Sequence, residues 1–255
     1  MSINIYVVTH KQAEIPSQQG YIPMIVGKND AVSYPNAVRD NTGNNISEKN
    51  PNYCELTALY WIWKNVDVDY CGLCHYRRYF TENSMTDLQR KPVDAGIAEK
   101  LLQKYDIILP YPYIVLPFSV QHQLVGTSVK EQDVQVMRDI LKEKYPDYLP
   151  AYDALMNGHS FSCYNMALTS KKILDEYCAW LFDILFTLES RVNLEGQSAY
   201  EQRIYGFLSE RLLNVWVRKN NLSVKYLYVT ETENPSTVST VIHRKLHYIK
   251  HKKLL

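Results

Sequence analysis

Several things are scarce in these 255 residues, and each scarcity excludes a class of protein. Charge of one sign is missing: 28 Lys and Arg stand against 27 Asp and Glu, a formal net charge of +1. A general nucleic-acid binder would instead be strongly basic. Long apolar runs are missing too, because no stretch reaches the roughly 18–20 residues that span a bilayer. The opening "MSINIYVVTHK" has neither a basic leader nor a small-residue cleavage site. Five cysteines, Cys54, Cys71, Cys74, Cys163 and Cys178, form an odd, scattered set that fits reduced thiols rather than a disulfide framework. Internal repeats, low-complexity tracts and clear linkers are also absent, so the reading is one cytoplasmic domain.

The pair in "CGLC" (71–74) invites a zinc or redox reading, yet no second pair follows. If 70–75 is a strand, Cys71 and Cys74 point to opposite faces and cannot chelate one ion together. They read as buried thiols.

What is present is an alternation of strand and helix patterns. "INIYVVTH" (3–10) is an apolar, β-rich run ending in polar Thr9, His10 and Lys11, and "YIPMIVG" (21–27) is a shorter candidate. After a polar loop (39–50), Asn50 and Pro51 look like an N-cap and N1 proline. They open a buried helix, "PNYCELTALYWIWKN" (51–65). Strands follow at 69–76, 105–110, 160–169 and 224–229, with helices at 95–104, 131–145, 170–190 and 199–219. Alternation over the first half predicts an α/β domain with a mostly parallel central sheet flanked by helices.

In open sheets of this kind ligands bind beyond the carboxyl ends of the strands. Three polar clusters fall there: Thr9–His10–Lys11, Arg39–Asp40 through Asn45, and His75 through Arg78 in "GLCHYRRYF" (72–80). The guanidinium forks of Arg77 and Arg78 match phosphate oxygens, and the start of the helix from Pro51, right after the second cluster, would favour an anion. His75 could donate to a phosphate oxygen or a leaving group. The competing reading is one ion-paired arginine and one solvated arginine. Asn52 and Glu55 are readable as polar groups of a helix start only. Asp67 and Asp69 resemble a metal-binding D-x-D, but they precede a strand, where loop or capping roles are more natural.

In "YEQRIYGFLSERLL" (200–213), Arg203 and Glu210 share a helix face, so Glu210 is either a general base or half of an ion pair with Arg203 or Arg211. Asn165 is a polar residue in an apolar strand and needs a partner, either backbone or an acceptor sugar. The tail 241–255 is basic, with Ile242, Leu246 and Ile249 on one helical face. It reads either as a membrane-surface contact or as a solvated terminal helix.

The segments "VVTHK" (7–11), "DNTGNNIS" (40–47), "NYCELTALYWIWKN" (52–65), "GLCHYRRYF" (72–80), "YNMAL" (164–168) and "RIYGFLSERLL" (203–213) give the chain a resemblance to a known family. It resembles bacterial capsular and exopolysaccharide glycosyltransferases, often described only as a domain of unknown function. The resemblance implies a GT-A-like domain over residues 1–240, followed by the basic tail 241–255. It implies transfer of a hexosyl group, galactose-type in pyranose or furanose form favoured, from a UDP-sugar to a lipid-linked oligosaccharide at the inner face of the membrane. By motif position, Thr9 and His10 would lie beside the nucleoside, and Asp40, Asn44 and Asn45 would line the donor pocket. His75, Arg77 and Arg78 would hold the diphosphate. Glu210 and Arg211 would close the site, with Glu210 and His75 the catalytic candidates and Asn165 on the acceptor side. No metal is required on this reading, with Mn or Mg through Asp67 and Asp69 as the alternative. The rival from another class is a non-catalytic nucleotide-sugar or glycan-binding subunit, which predicts donor binding without turnover.

Overall fold

The computed structural model describes residues 2–82 and 91–233. The basic tail at 241–255 and its expected membrane contact lie outside the described residues. Among these residues, no helix is long and apolar enough to cross a membrane.

The first half builds a parallel sheet, as its alternating pattern predicts. Strand β1 (Ile3–Thr9) is buried at every position but Asn4, as expected of a strand covered on both faces. It pairs in parallel with β2 (Tyr21–Ile25) on one side and β4 (Tyr70–His75) on the other, and β2 pairs with β3 (Val38–Arg39). The second half differs. Strand β4 turns through Tyr76 and Arg77 into β5 (Arg78–Thr81), which runs antiparallel to it. β10 (Val224–Glu231) is antiparallel to β5 and parallel to β6 (Ile107–Pro110). β9 (Ala167–Ser170) runs antiparallel to both β4 and β6. The eight-stranded sheet, in the order β3-β2-β1-β4-β5-β10-β6-β9, is therefore mixed rather than mostly parallel. Only a long crossover can return a chain in parallel, and the two-residue turn after β4 allows no such return.

Gly72 shows how tightly β9 closes on β4. A Cβ at that position would sit 1.9 Å from the carbonyl oxygen of Ala167, so only glycine fits. Two short strands, β7 (Tyr113–Ile114) and β8 (Ser160–Phe161), form a separate hairpin-like pair. The strand predicted over 160–169 is split into β8 and β9, while β7 and β5 do not stand out as apolar runs and the sequence reading misses them.

The predicted helix over 51–65 is two helices, α1 (Asn50–Tyr53) and α2 (Leu56–Asn65). They are separated at Cys54, whose backbone takes φ 52° and ψ −129°. Asn50 is not the N-cap. Its side-chain amide bridges the break, donating to the Cys54 carbonyl (2.9 Å) and Thr57 Oγ1 (3.0 Å).

Helix α3 (Ala95–Leu102) is capped by the Asp94 carboxylate, which accepts from the amides of Gly96 and Ile97. It packs against β1, β6 and β9. Three further helices, α4 (Val120–Thr127), α5 (Glu131–Lys144) and α6 (Leu149–Met156), lead to the long α7 (Lys171–Glu189). Ser170 caps α7 by accepting from the Ile173 amide. α7 contacts β4 and β9, and it packs on α2, α5 and α8 (Ile204–Lys219). Cys71, Cys74 and Cys178 are fully buried, and burial pushes their thiols well above the ordinary range. Among the described residues, no cluster of His, Cys, Asp or Glu is arranged to hold a metal ion.

Candidate active site

A cleft of about 360 Å³ opens at the carboxyl ends of β1, β2 and β4. Its walls come from six places in the chain, one of them Val26 just after β2. His10 follows β1; Cys54 and Glu55 occupy the break between α1 and α2; His75, Tyr76, Arg77 and Arg78 form the β4–β5 turn. Tyr164 precedes β9, and Arg203 and Glu210 belong to α8 and its approach. The expected ligand edge of the sheet is therefore where the cavity lies.

The arrangement is held by one strained turn. Tyr164 (φ 77°) and Asn165 (φ 52°) are consecutive non-glycine residues in the left-handed region. Cys54 is a third such residue in this cleft. Conformations of this kind cost about 1–3 kcal/mol each and persist only when surrounding contacts enforce them. Here those contacts are to titratable side chains. The Tyr164 amide donates to Glu210 Oε1 (2.7 Å), and the Tyr164 carbonyl accepts from His75 Nε2 (2.8 Å). The Asn165 side-chain amide donates to Glu55 Oε1 (2.6 Å) and to the Gly206 carbonyl (3.1 Å), while its oxygen accepts from Ser209 (3.0 Å). The Arg78 guanidinium lies 4.5 Å from the centre of the Tyr164 ring. Two adjacent residues thus orient an imidazole, two carboxylates and a guanidinium.

The protonation states follow. Desolvation, aided by Arg78 and Arg77, holds the His75 imidazole below its usual range. With Nε2 committed as donor to a carbonyl, the neutral ring leaves Nδ1 as an acceptor. His75 is therefore not a spare donor for phosphate. Burial pushes the Glu210 carboxyl up, opposed by Arg211, whose Nη1 donates to Glu210 Oε2 at 2.8 Å. His10 is lowered by burial and by the neighbouring Lys11, Arg77 and Arg203. Both oxygens of Glu210 are engaged. Glu55 uses only Oε1, and among the described residues Oε2 takes no hydrogen bond or ion pair.

Several expected site residues lie elsewhere. Thr9 is buried, and its hydroxyl bonds the backbone of Lys11. Asp40 is fully buried: Oδ1 accepts from the Gly27 amide (3.0 Å) and Ser47 (2.6 Å), and Oδ2 accepts from Thr57 (2.6 Å). Asn44 and Asn45 brace their own loop. Asn44 exchanges hydrogen bonds with Asn65 through its backbone, and Asn45 bonds Gly43 and Ser47. Arg211 is 3% exposed, held by the Phe207 carbonyl and Gln123 and stacked 4.1 Å over Phe161, so it backs Glu210 rather than facing the cleft. Asn165 stands behind Glu55 instead of contacting a ligand directly. Asp69 accepts from the Ser2 amide at the amino end of β4, and with Asp67 it lies a strand length, about 17 Å, from His75. That placement removes the D-x-D from this cleft.

Sequence reasoning undervalued Glu55 and missed Tyr164. The signal for Glu55 was its place four residues after a proline-started helix. Nothing local announced that the helix breaks there and delivers the carboxylate to the cleft. Arg203 completes the wall: its Nε donates to Cys54 Sγ (3.1 Å), and it forms no ion pair with Glu210. Burial pushes the Cys54 thiol up to about 11.

Comparisons with known proteins place the chain in a family. The family described as "Domain of unknown function (DUF4422)" matches residues 4–221. No curated protein matches the chain. Among solved structures, the chain is similar to the apo structure of the WbbM bifunctional glycosyltransferase, with a TM-score of 0.75 and 30% identity. That likeness covers 92% of this chain and 46% of the WbbM chain, so this protein spans about half the length of that neighbour. A far weaker likeness, TM-score 0.34 at 10% identity over 83% of this chain and 62% of the other, is to the mannosyltransferase Ktr4p from S. cerevisiae.

Proposed function

The chain belongs to the DUF4422 family, and from that premise we propose that it is a nucleotide-sugar-dependent glycosyltransferase of GT-A-like architecture. The observation that carries this reading is the division of one cleft into a cationic rim, Arg77, Arg78 and Arg203, and an acidic interior, Glu55 and Glu210. A sugar nucleotide has the complementary division: an anionic diphosphate and a neutral, hydroxyl-rich hexose. The similarity to a bifunctional glycosyltransferase supports the same class.

On this reading the arginines bind the diphosphate, and the sugar extends toward the carboxylates. Glu55 Oε2, the unengaged oxygen, takes the proton of the acceptor hydroxyl. The acceptor's own oxygen, freed of that proton, bonds to the anomeric carbon as the bond to the diphosphate breaks, and the departing electron pair stays on the phosphate, stabilised by Arg77 and Arg78. Glu210, tied to Arg211 and Tyr164, supplies a fixed acceptor for sugar hydroxyls, and His75 Nδ1 supplies another. A UDP-linked, galactose-type hexose and a lipid-linked glycan acceptor are the finer assignments, favoured by the family resemblance of the motifs. Divalent metal is not required in this scheme.

The test is release of UDP from UDP-hexoses in the presence of lipid-linked oligosaccharide, with wild type and Glu55→Gln. Wild-type turnover and a loss of about 10²–10⁴-fold in the variant are expected. Full turnover in the variant would remove Glu55 from the chemistry. Donor binding without turnover in the wild type would favour a non-catalytic binding subunit.

A further inference from the structure

At the outer rim of the cleft a carboxylate already occupies the cationic groups. Glu233 Oε1 lies 2.6 Å from Lys11 Nζ, and its Oε2 lies 3.5 Å from Arg77 Nη1. Both cations also flank one ring: Lys11 Nζ is 5.0 Å and Arg77 Cζ 5.6 Å from the centre of Tyr76. His10 meets the same ring edge-on at 5.4 Å. The Glu233 oxygens are thus divided between two cations at the mouth of the cleft, as two oxygens of one phosphoryl group would be.

The neighbouring pair behaves differently. Glu231 accepts from Arg78 Nε at 3.0 Å, and the two residues are direct cross-strand partners of β5 and β10. That carboxylate is fixed by sheet register and braces Arg78. Glu233 lies beyond the last residue of β10, next to Thr232, whose amide donates to the Arg77 carbonyl (3.0 Å), and its side chain is 36% exposed. Glu231 is 29% exposed and sits within the paired stretch, so of the two acids Glu233 is the freer to swing away. Three cations, Lys11, Arg77 and Arg78, face two carboxylates, so the rim keeps a net positive charge even with both pairs formed.

We infer that the point between Lys11 Nζ and Arg77 Nη1 is a phosphoryl subsite, and that Glu233 is a displaceable internal anion filling it until a diphosphate arrives. This rests on the reading of the cleft as a nucleotide-sugar site, and it adds Lys11 as a phosphate ligand and Glu233 as its competitor. Replacement exchanges one anion for another, so the apparent affinity is lowered by the competition and the free site is never left as an uncompensated cluster of cations.

The experiment is calorimetric titration of the full chain with inorganic pyrophosphate and, separately, with UDP. Wild type, Glu233→Gln, Lys11→Ala and Glu231→Gln are compared. Glu233→Gln is expected to bind both probes about 2–5-fold tighter and Lys11→Ala to bind them about 2–5-fold more weakly, the range set by a part-exposed ion pair. Both differences should shrink as added salt screens the rim. Glu231→Gln should weaken binding, because it frees Arg78 from its brace. Unchanged or weaker binding by Glu233→Gln would overturn the proposal, as would an unaffected Lys11→Ala. The underlying reading fails separately. If UDP does not bind wild type while pyrophosphate responds to both substitutions, the subsite stands and the sugar-nucleotide assignment falls. If UDP binds and neither substitution matters, the reverse holds.

Discussion

Two polar clusters sit at the same end of the sheet, and they do opposite work. The loop from Asp40 to Ser47 and the turn at Tyr164–Asn165 both bring Asp, Asn, Ser and Glu side chains to places where backbone groups need partners. Around Asp40 every bond closes on the protein itself: a backbone amide and two hydroxyls satisfy the carboxylate, and the residue is sealed from solvent. Around Tyr164–Asn165 the bonds stop one atom short. Glu55 keeps an unengaged oxygen and His75 a ring nitrogen, and both residues line a cavity that guanidinium groups also line. The first cluster holds the fold. On the proposed reading the second holds the chemistry, and it carries backbone strain that the first does not.

This contrast can be broken by substitution. Glu55→Gln should produce the largest effect, the loss of about 10²–10⁴ in turnover given above, with a melting temperature close to wild type. Asp40→Ala should do the reverse. It leaves the Gly27 amide and the Ser47 hydroxyl without their carboxylate partner in a dry site and removes one of the Thr57 bonds, costing about 3 kcal/mol of stability in a denaturant titration. If any folded fraction of that variant turns over normally per molecule, the separation of roles holds. If it has lost donor affinity, the Asp40 loop belongs to the site after all. Asn165→Ala should fall between the two, with kcat reduced about 10-fold through a misplaced Glu55 and donor binding little changed. Equal losses in both quantities would indicate general collapse of the turn.

The smallest effect concerns pH. Folding holds the His75 imidazole below its usual range, so its contribution to stability is fully present above the unfolded pKa, about 6.5. It is lost as pH falls through the lower folded value, because in that window the unfolded chain takes up the proton first. Thermal melts from pH 7.5 downward should show this decline in wild type. In His75→Asn, whose amide can still donate toward Tyr164, that part of the decline should vanish. A decline of the same size in the variant would place its origin in other groups.

The amino-acid sequence makes part of this legible. "GLCHYRRYF" is an apolar run ending abruptly in cations, and that edge is visible without coordinates. Asn165 likewise announces itself as a polar residue that must find a partner; the partner, Glu55, lies 110 residues away and nothing local names it. Asp40 misleads for the complementary reason, since a carboxylate that caps backbone and one that binds a ligand are spelled alike. The break at Cys54, bridged by the Asn50 side chain, hides inside a continuous helical pattern. Strand direction is equally hidden: it depends on where each connection returns, and the hairpin after His75 reverses a sheet that the first four strands had set parallel.

The account turns most directly on whether Arg77 and Arg78 receive a diphosphate. Calorimetric titration of UDP into wild type and Arg77→Ala/Arg78→Ala, each with and without EDTA, measures this. Wild-type binding that survives EDTA, together with a loss of about 10–100-fold in the double variant, is the expected result. Equal affinity in both proteins, or no UDP binding by folded wild type, would contradict it and leave the two arginines as partners of Glu231 and Glu233 alone.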